Sequence, residues 1–165
     1  MKDQDDFIRD IEREARELEE FLNDEVPVHI EVAVEDQFLD SFENEGFTDN
    51  GLKKWEPRKT TDTRGRDITR YRTNRVGKAG ELNRYGKQNQ GRAILVGQQG
   101  GHLKRSLNLT KSEGKVTASF DVPYAEVHNE GSDTTPKRQF IGPTPELEQD
   151  IYRRIEPGLD KIFKK

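Results

Sequence analysis

The spacing of the apolar residues changes twice along this chain, and these changes constrain its fold class. In residues 5–24 and 27–45, apolar side chains recur every three or four positions, the period of one face of an α-helix. Between Leu103 and Val122 they mostly alternate with polar residues, as in strands. The helical spacing returns after Pro145, which suits the first position of a helix. We therefore predict an α+β protein with two N-terminal helices, a small antiparallel sheet containing a hairpin, and a C-terminal helix packed on the sheet.

Several details of this prediction have alternatives. The segment "VHIEVAV" (28–34) also alternates like a strand, but a helix is favoured by four apolar residues at a spacing of four: Ile30, Val34, Phe38 and Phe42. "RAILV" (92–96) predicts another short strand, and "KSEG" (111–114) a four-residue hairpin turn. Pro157 predicts a kink or a restart in the last helix.

The composition predicts one domain that does not bury all of its apolar surface alone. The 165 residues suit a single unit spanning 1–165, but only 30% are hydrophobic and 36% are charged. Such a chain completes its burial against copies of itself or other partners. Without cysteine there are neither disulfides nor thiolate metal sites. We also predict no signal peptide and no membrane span, because the start is charged and no apolar run approaches ~20 residues.

Charge is strongly segregated along the chain. Residues 1–51 hold 4 basic and 18 acidic groups, a net charge of −14. Residues 53–92 hold 13 basic and 4 acidic groups, a net charge of +9. Separated charge of this size favours binding of a second copy, or of a polyanion at the basic part.

Residues 56–92, which we call the basic arm, lack apolar periodicity and predict a long inserted loop with a binding role. Tyr71 and Tyr85 are interspersed among its cations, a pattern that suits a nucleic-acid backbone. The alternative, which we favour, is docking on the acidic first helix of a neighbouring copy. The candidate contacts to DNA or to a neighbouring subunit are Arg64, Arg66, Arg70, Arg72, Arg75, Lys78, Arg84, Lys87 and Arg92.

No catalytic or metal site is predicted. The three histidines are far apart and lack ligand-like neighbours, so each is better explained as structural. Ser106 and Ser132 lack the context of a nucleophile elbow. "GQQGG" (97–101) lacks the pattern of a phosphate-binding loop.

Four motifs in order resemble the phage virion morphogenesis family of tail-completion and head–tail joining proteins. They are "SFENEGFTDNGLKKWEPR" (41–58), "LVGQQGGHLKRSL" (95–107), "VPYAEVHNEG" (122–131) and "PKRQFIG" (136–142), followed by an amphipathic C-terminal helix. The resemblance covers about residues 27–163. The basic arm is longer and more basic than is usual for that family.

The resemblance implies a non-enzymatic subunit of a tailed phage virion without a cofactor. It would form a homo-oligomeric ring, most commonly sixfold, as a head–tail connector or tail-completion protein between capsid neck and tail. Its partners would be other neck, portal-side and tail proteins, with DNA in the lumen and no membrane. It would be assembled in the bacterial cytoplasm and located in the virion. The alternative function is nucleic-acid binding through the basic arm.

The residues matched to these motifs are expected to act by shape. Tyr124 should fill a groove, while Ala125 permits close approach. Gly131 should allow a turn that Pro136 stiffens. We expect His128 to hydrogen-bond the backbone of this loop. The full set is Phe42, Gly46, Trp55, Leu103, Ser106, Tyr124, Ala125, His128, Gly131, Pro136, Arg138 and Phe140, with Arg138 and Phe140 anchoring the loop before the last helix.

Overall fold

The computed structural model describes residues 4–73, 80–96, 101–112 and 114–164, and it has the α+β class predicted. The helices are α1 (Gln4–Glu20), α2 (Val26–Glu43), α3 (Arg84–Asn89), α4 (Ala125–Glu130) and α5 (Pro145–Phe163). The strands are β1 (Gly46–Thr48), β2 (Leu52–Lys54), β3 (Leu107–Ser112) and β4 (Lys115–Phe120). They form two separate antiparallel hairpins, β1–β2 and β3–β4.

The two predicted N-terminal helices are confirmed, and a single π-helical turn, Phe21–Glu25, joins them. Pro27 lies in the first turn of α2 and has no N–H to donate. The turn before it is wider, with the Val26 N–H bonded to the Phe21 carbonyl five residues earlier. The chain therefore stays helical through the proline without a break.

Helix α5 begins where the sequence predicts. The Thr144 hydroxyl accepts a hydrogen bond from the Leu147 N–H at 3.1 Å, and Pro145 follows in the first turn. The helix continues through Pro157, so the predicted restart is absent. We expected α5 to cover the sheet, but it packs chiefly on α2 and also on α1. One contact between α5 and α2 is the 2.7 Å ion pair of Arg154 with Asp36.

The predicted hairpin is present as β3–β4, with Leu107 opposite Phe120 and Ser112 opposite Lys115. Strand β3 continues through Lys111 and Ser112, which the sequence pattern assigned to the turn. The connection is therefore two residues, 113 and 114, and the predicted four-residue turn is wrong. The Lys111 ammonium lies 2.5 Å from a carboxylate oxygen of Glu31, which links the hairpin to α2.

Two further differences concern short segments. The sequence pattern predicted no strand in "GFTDNG" (46–51), but Gly46–Thr48 forms β1, paired with β2. The strand predicted at 92–96 is absent, because the chain turns there and Leu95 has a φ of 59°. That left-handed conformation is incompatible with a regular strand.

The core is built largely from aromatic rings. The ring centroids of Phe38 and Phe42 in α2 are 5.0 Å apart. Phe140 lies 5.7 Å from Phe38 and 5.9 Å from Phe42, and Trp55 lies 5.4 Å from Phe42. Leu103 and Ala125 complete the buried cluster. The Trp55 indole donates a 2.6 Å hydrogen bond to the Gln139 carbonyl, so its polar atom is satisfied inside the core. This core holds together the chain segments on either side of the basic arm.

The described part of the basic arm folds back on itself. Isolated bridges pair Thr61 with Asp67 and Arg72 with Leu82. The short helix α3, which the sequence did not predict, is capped by the Asn83 side chain, which accepts from the Gly86 N–H at 2.8 Å. A Cβ on Gly86 would come within 2.3 Å of the Tyr71 carbonyl oxygen, so this glycine permits the close approach of the two segments.

Candidate functional site

Three arginines from separate segments line one cavity of about 300 Å³, which we call the arginine pocket. Arg58 follows the core residue Trp55, Arg92 follows α3, and Arg138 precedes α5. The remaining lining residues are His102, Tyr124 and His128 together with an apolar wall of Ile94, Leu95, Val96 and Leu103. The described lining residues therefore include five basic side chains and no carboxylate.

Arg138 and Arg58 are fixed by backbone carbonyls. Arg138 is buried, and its Nε donates to the Glu56 carbonyl at 3.0 Å while its own N–H donates to the His128 carbonyl at 2.7 Å. Arg58 donates from Nη2 to the carbonyls of Ala93 and Val96. Both guanidinium groups are thus held in place by neutral acceptors, which leave their charge uncompensated.

Arg92 is different, because its Nε and Nη1 are buried and make no hydrogen bond within the described part of the chain. The His128 Nδ1 is buried and unpaired in the same way. A buried donor without a partner costs about 1–3 kcal/mol, and more when it is charged. The pocket therefore contains polar atoms that the described residues leave unsatisfied.

The pKa shifts of the pocket residues also indicate that positive charge is concentrated there. Burial, followed by repulsion from Arg92, lowers the pKa of Arg58, and Glu45 and Tyr71 offset this only in part. Burial, followed by repulsion from Arg138, lowers the pKa of His128. Arginine stays protonated even so, whereas His128 is favoured in its neutral form. The pocket is a concentration of positive charge.

A larger cavity of about 600 Å³ lies beside the pocket and shares Arg58, Arg92 and Ile94 with it. This second cavity contains carboxylates. Asp67 accepts from the Thr69 N–H at 2.7 Å and lies 3.7 Å from Arg72 Nε, and a Glu45 oxygen accepts from the Ile94 N–H at 2.6 Å. Its charges are therefore more nearly balanced than those of the arginine pocket.

The predicted contact residues of the basic arm separate into three groups. Arg64, Arg70, Arg84 and Lys87 are exposed. Arg66 and Arg72 are engaged within the arm, with Arg66 Nε 2.8 Å from Asp62 and Arg72 Nη1 2.9 Å from the Gly80 carbonyl. Arg92 lies in the pocket. Arg75 and Lys78 lie outside the described residues.

Most residues matched to the motifs are buried in or beside the core: Phe42, Gly46, Trp55, Leu103, Ser106, Ala125, Arg138 and Phe140. Gly131 has the expected left-handed φ, 81°, and Pro136 is half-buried. Arg138 and Phe140, which the sequence predicts to anchor the loop before the last helix, are both buried, and Arg138 bonds to the Glu56 carbonyl.

One expectation about this set is wrong. Tyr124 does not fill a buried groove, because Ala125 is buried in the core and Tyr124 is 42% exposed, with its ring edge-on to His128 at 5.9 Å. The expected bond of His128 to the loop backbone is present, because its main-chain carbonyl accepts from the Arg138 N–H at 2.7 Å. Both side chains line the arginine pocket.

A second surface is exposed on α1, in which no residue is buried. Phe7, Ile8 and Ile11 form an apolar strip there, and Phe7 is 60% exposed. Arg9 and Arg13 pair with Asp6 and Asp10 of the same helix. The remaining acidic groups of α1 thus outnumber its basic ones, and the apolar strip is uncovered.

No sequence pattern indicated the pocket, and Arg58 was not among the predicted site residues. Its one signal was its position directly after a segment anchored by Trp55. Among the described residues, no group of three or more His, Cys, Asp or Glu could hold a metal ion. No helix in those residues is long and apolar enough to cross a membrane. What the arginine pocket offers chemically is recognition of an anion.

Comparison with known proteins gives no match. No protein-family model matches the chain, and no curated protein does. No solved structure matches it either. The resemblance to virion morphogenesis proteins therefore stays an expectation based on the four motifs.

Proposed function

We propose that the chain is a non-enzymatic structural protein of a tailed phage virion, a ring-forming head–tail connector or tail-completion subunit. The observation that supports this most directly is the convergence of the motif residues on one core. Phe42, Trp55, Leu103, Ala125 and Phe140 come from all four motifs and are packed together. Residues used in this way maintain a shape, which is what a structural subunit requires.

Self-assembly is supported by the surface of α1. An exposed apolar strip, Phe7, Ile8 and Ile11, is combined there with an excess of carboxylates, while the basic arm exposes cations. Different patches that complement one another on adjacent copies make a head-to-tail interface, which generates a ring when the rotation closes. The resemblance implies sixfold symmetry and a location in the neck or tail of the virion.

A second candidate function is nucleic-acid binding by the basic arm. It is favoured by the exposure of Arg64, Arg70 and Arg84 and of the Tyr85 ring in the same arm, since cations interleaved with an exposed aromatic ring suit a phosphate backbone and its bases. The two functions are compatible, because a ring in the neck surrounds DNA in transit.

The proposal is tested by the oligomeric state. Native mass spectrometry and two-dimensional class averages of the purified chain, alone and with a portal-side protein, should show a closed ring. Replacing Phe7 and Ile11 with Ser should leave a folded monomer. The control is Tyr152→Ser, which removes a similarly exposed aromatic side chain from α5 and should leave the oligomeric ring intact. Persistence of the monomer in assembled particles would contradict the proposal.

Nucleic-acid binding is tested separately with duplex DNA at several salt concentrations. Binding through arm cations should weaken steeply with salt, because each phosphate contact releases counterions. A ring that binds no DNA even at low salt would exclude the second function and leave the first in place.

A further inference from the structure

We propose that the arginine pocket is a socket for one carboxylate of a second copy of this chain, supplied by its α1 helix. The inference rests on the assembly proposed above and identifies which group each copy contributes. The socket residues are Arg58, Arg92 and Arg138, and the occupant is an acidic side chain from the exposed face of α1.

The first argument is that the pocket lacks its counter-charge. Arg58 and Arg138 donate to neutral backbone carbonyls, and Arg92 Nε and Nη1 have no hydrogen-bond partner in the described residues. An oxyanion accepting from Arg92 would satisfy those donors and reduce the repulsion that Arg58 experiences from Arg92. The geometry of an occupied pocket is therefore more favourable than that of the free one.

The second argument concerns the identity of the anion. The pocket is a recess of about 300 Å³, partly walled by Ile94, Leu103 and other apolar residues. A single side chain can enter such a recess, whereas the phosphates of duplex DNA lie on a wide, rigid surface that exposed cations meet more readily. The chain supplies its own candidates, because residues 1–51 carry 18 acidic groups and only 4 basic ones.

The third argument is that the arginine pocket and α1 both have exposed aromatic or apolar side chains beside their charged groups. Tyr124 lies among the lining residues with its ring 42% exposed, and α1 carries its apolar strip beside its carboxylates. The residues that dominate the affinity of an interface, its hot spots, are usually desolvated and surrounded by contacts that exclude water. An ion pair bordered by aromatic and apolar side chains fits that description. An α1 helix docked at the pocket would cover Tyr124 and the strip together.

Arg92 is the residue to change first, because its Nε and Nη1 make no hydrogen bond within the described residues. Arg92→Gln removes the charge and keeps much of the side chain's length. It should leave the thermal stability of the isolated subunit unchanged or higher, since a repulsion is removed. The dissociation constant of the oligomer should rise by about 30-fold or more, the usual effect of truncating one partner of a buried charge pair. The matched control is Arg84→Gln, an exposed arginine of the same arm, which should change the dissociation constant by less than threefold.

Charge reversal then identifies the partner. Arg92→Glu should abolish the oligomer, and combining it with Glu12→Arg, Glu19→Arg or Glu20→Arg should restore assembly for the carboxylate that enters the pocket. As an independent measurement, acetate should bind the monomeric Phe7→Ser/Ile11→Ser variant saturably. The addition of Arg92→Gln should abolish that binding.

The outcomes separate this inference from the proposed function. Rings that form equally well with Arg92→Gln would overturn the socket and leave the ring intact. Loss of DNA binding in Arg92→Gln with unaltered assembly would show that the pocket takes a phosphate, and would also overturn the inference. A wild-type chain that never assembles would contradict the proposed function itself. Weakened assembly with unchanged subunit stability, rescued by one α1 reversal, would support the socket.

Discussion

Gly158 of α5 lies directly against the ring of Phe21, so closely that a Cβ on Gly158 would come within 2.2 Å of Phe21 Cε2. Phe21 begins the π-helical turn between α1 and α2 and is buried there. The absence of a side chain at position 158 is therefore what allows α5 to cross the N-terminal helices at this depth. Gly158 directly follows Pro157, at which the sequence predicted a kink or a restart of the helix.

This contact predicts that Gly158→Ala destabilises the protein, against the local preference of a helix. Alanine is favoured over glycine inside a helix by about 1 kcal/mol, so propensity alone predicts a gain. Overpacking against Phe21 should outweigh that gain and lower the free energy of unfolding by about 1–3 kcal/mol. Urea denaturation followed by circular dichroism measures the change.

The control for this experiment is Glu156→Ala, at an exposed position of the same helix. It should change the free energy of unfolding by no more than about 0.5 kcal/mol. A higher urea midpoint for Gly158→Ala than for the wild type would show that α5 can move away from Phe21, and would contradict the close crossing described here.

Phe140 and Tyr124 should respond very differently to truncation. Phe140 is completely buried among Phe38, Phe42 and Phe120, so Phe140→Ala should cost about 3–5 kcal/mol. Tyr124→Ala should cost less than about 1 kcal/mol in the isolated subunit, because the ring is largely exposed. Thermal denaturation of the two variants in a monomeric background gives the comparison, and similar losses for both would show that the Tyr124 ring is buried.

His128 should make the protein less stable as the pH falls. Burial, followed by repulsion from Arg138, lowers its pKa in the folded state, so the unfolded chain binds a proton more readily. The stability associated with the neutral imidazole is fully present above the unfolded pKa of about 6.5, and it is lost as the pH falls through the folded pKa.

The measurement is the urea midpoint at pH 7.5 and pH 5 for the wild type and for His128→Gln. Carboxylates titrate in both proteins, so the comparison is between the two losses. The wild type should lose more stability on acidification than His128→Gln. Equal losses would contradict the buried, unpaired imidazole.

The sequence could predict those elements that depend on local patterns. The four-residue spacing that ends in Phe38 and Phe42 identified α2 correctly against an alternating strand pattern. The pair Thr144 and Pro145 located the start of α5, because capping depends on neighbouring residues only. The β3–β4 hairpin was evident from alternation, although the exact turn length was not.

The features that could not be predicted from the sequence depend on contacts between distant segments of the chain. A short, mainly apolar segment such as 92–96 can form a strand or a turn that packs on a core, and its composition does not distinguish the two. Here the chain turns, and Leu95 adopts a left-handed conformation. The burial of Ala125 in place of Tyr124 depends on how α4 meets α2. The arginine pocket requires Arg58, Arg92 and Arg138 to converge from three segments, and no spacing rule encodes that.

The exposed cations of the basic arm should affect the association rate of the oligomer, whereas the arginine pocket should affect its dissociation rate. Reversing Arg64, Arg70, Arg84 and Lys87 to Glu leaves the ion pairs within the arm intact, because those use Arg66 and Arg72. Exposed charges act mainly on diffusional encounter, whereas a buried charge pair acts on dissociation. The fourfold reversal should therefore slow association about tenfold or more at low salt, with little effect at 1 M salt, where the Debye length is about 3 Å.

Stopped-flow mixing of subunits labelled with a fluorescence donor and acceptor gives both rates. Arg92→Gln should accelerate dissociation at every salt concentration and change association little. Reversal of two exposed lysines outside the arm, Lys115 and Lys161, provides the matched control for surface charge. If the fourfold reversal leaves association unchanged but removes DNA binding from an intact ring, the exposed arm cations face the lumen and not a neighbouring subunit.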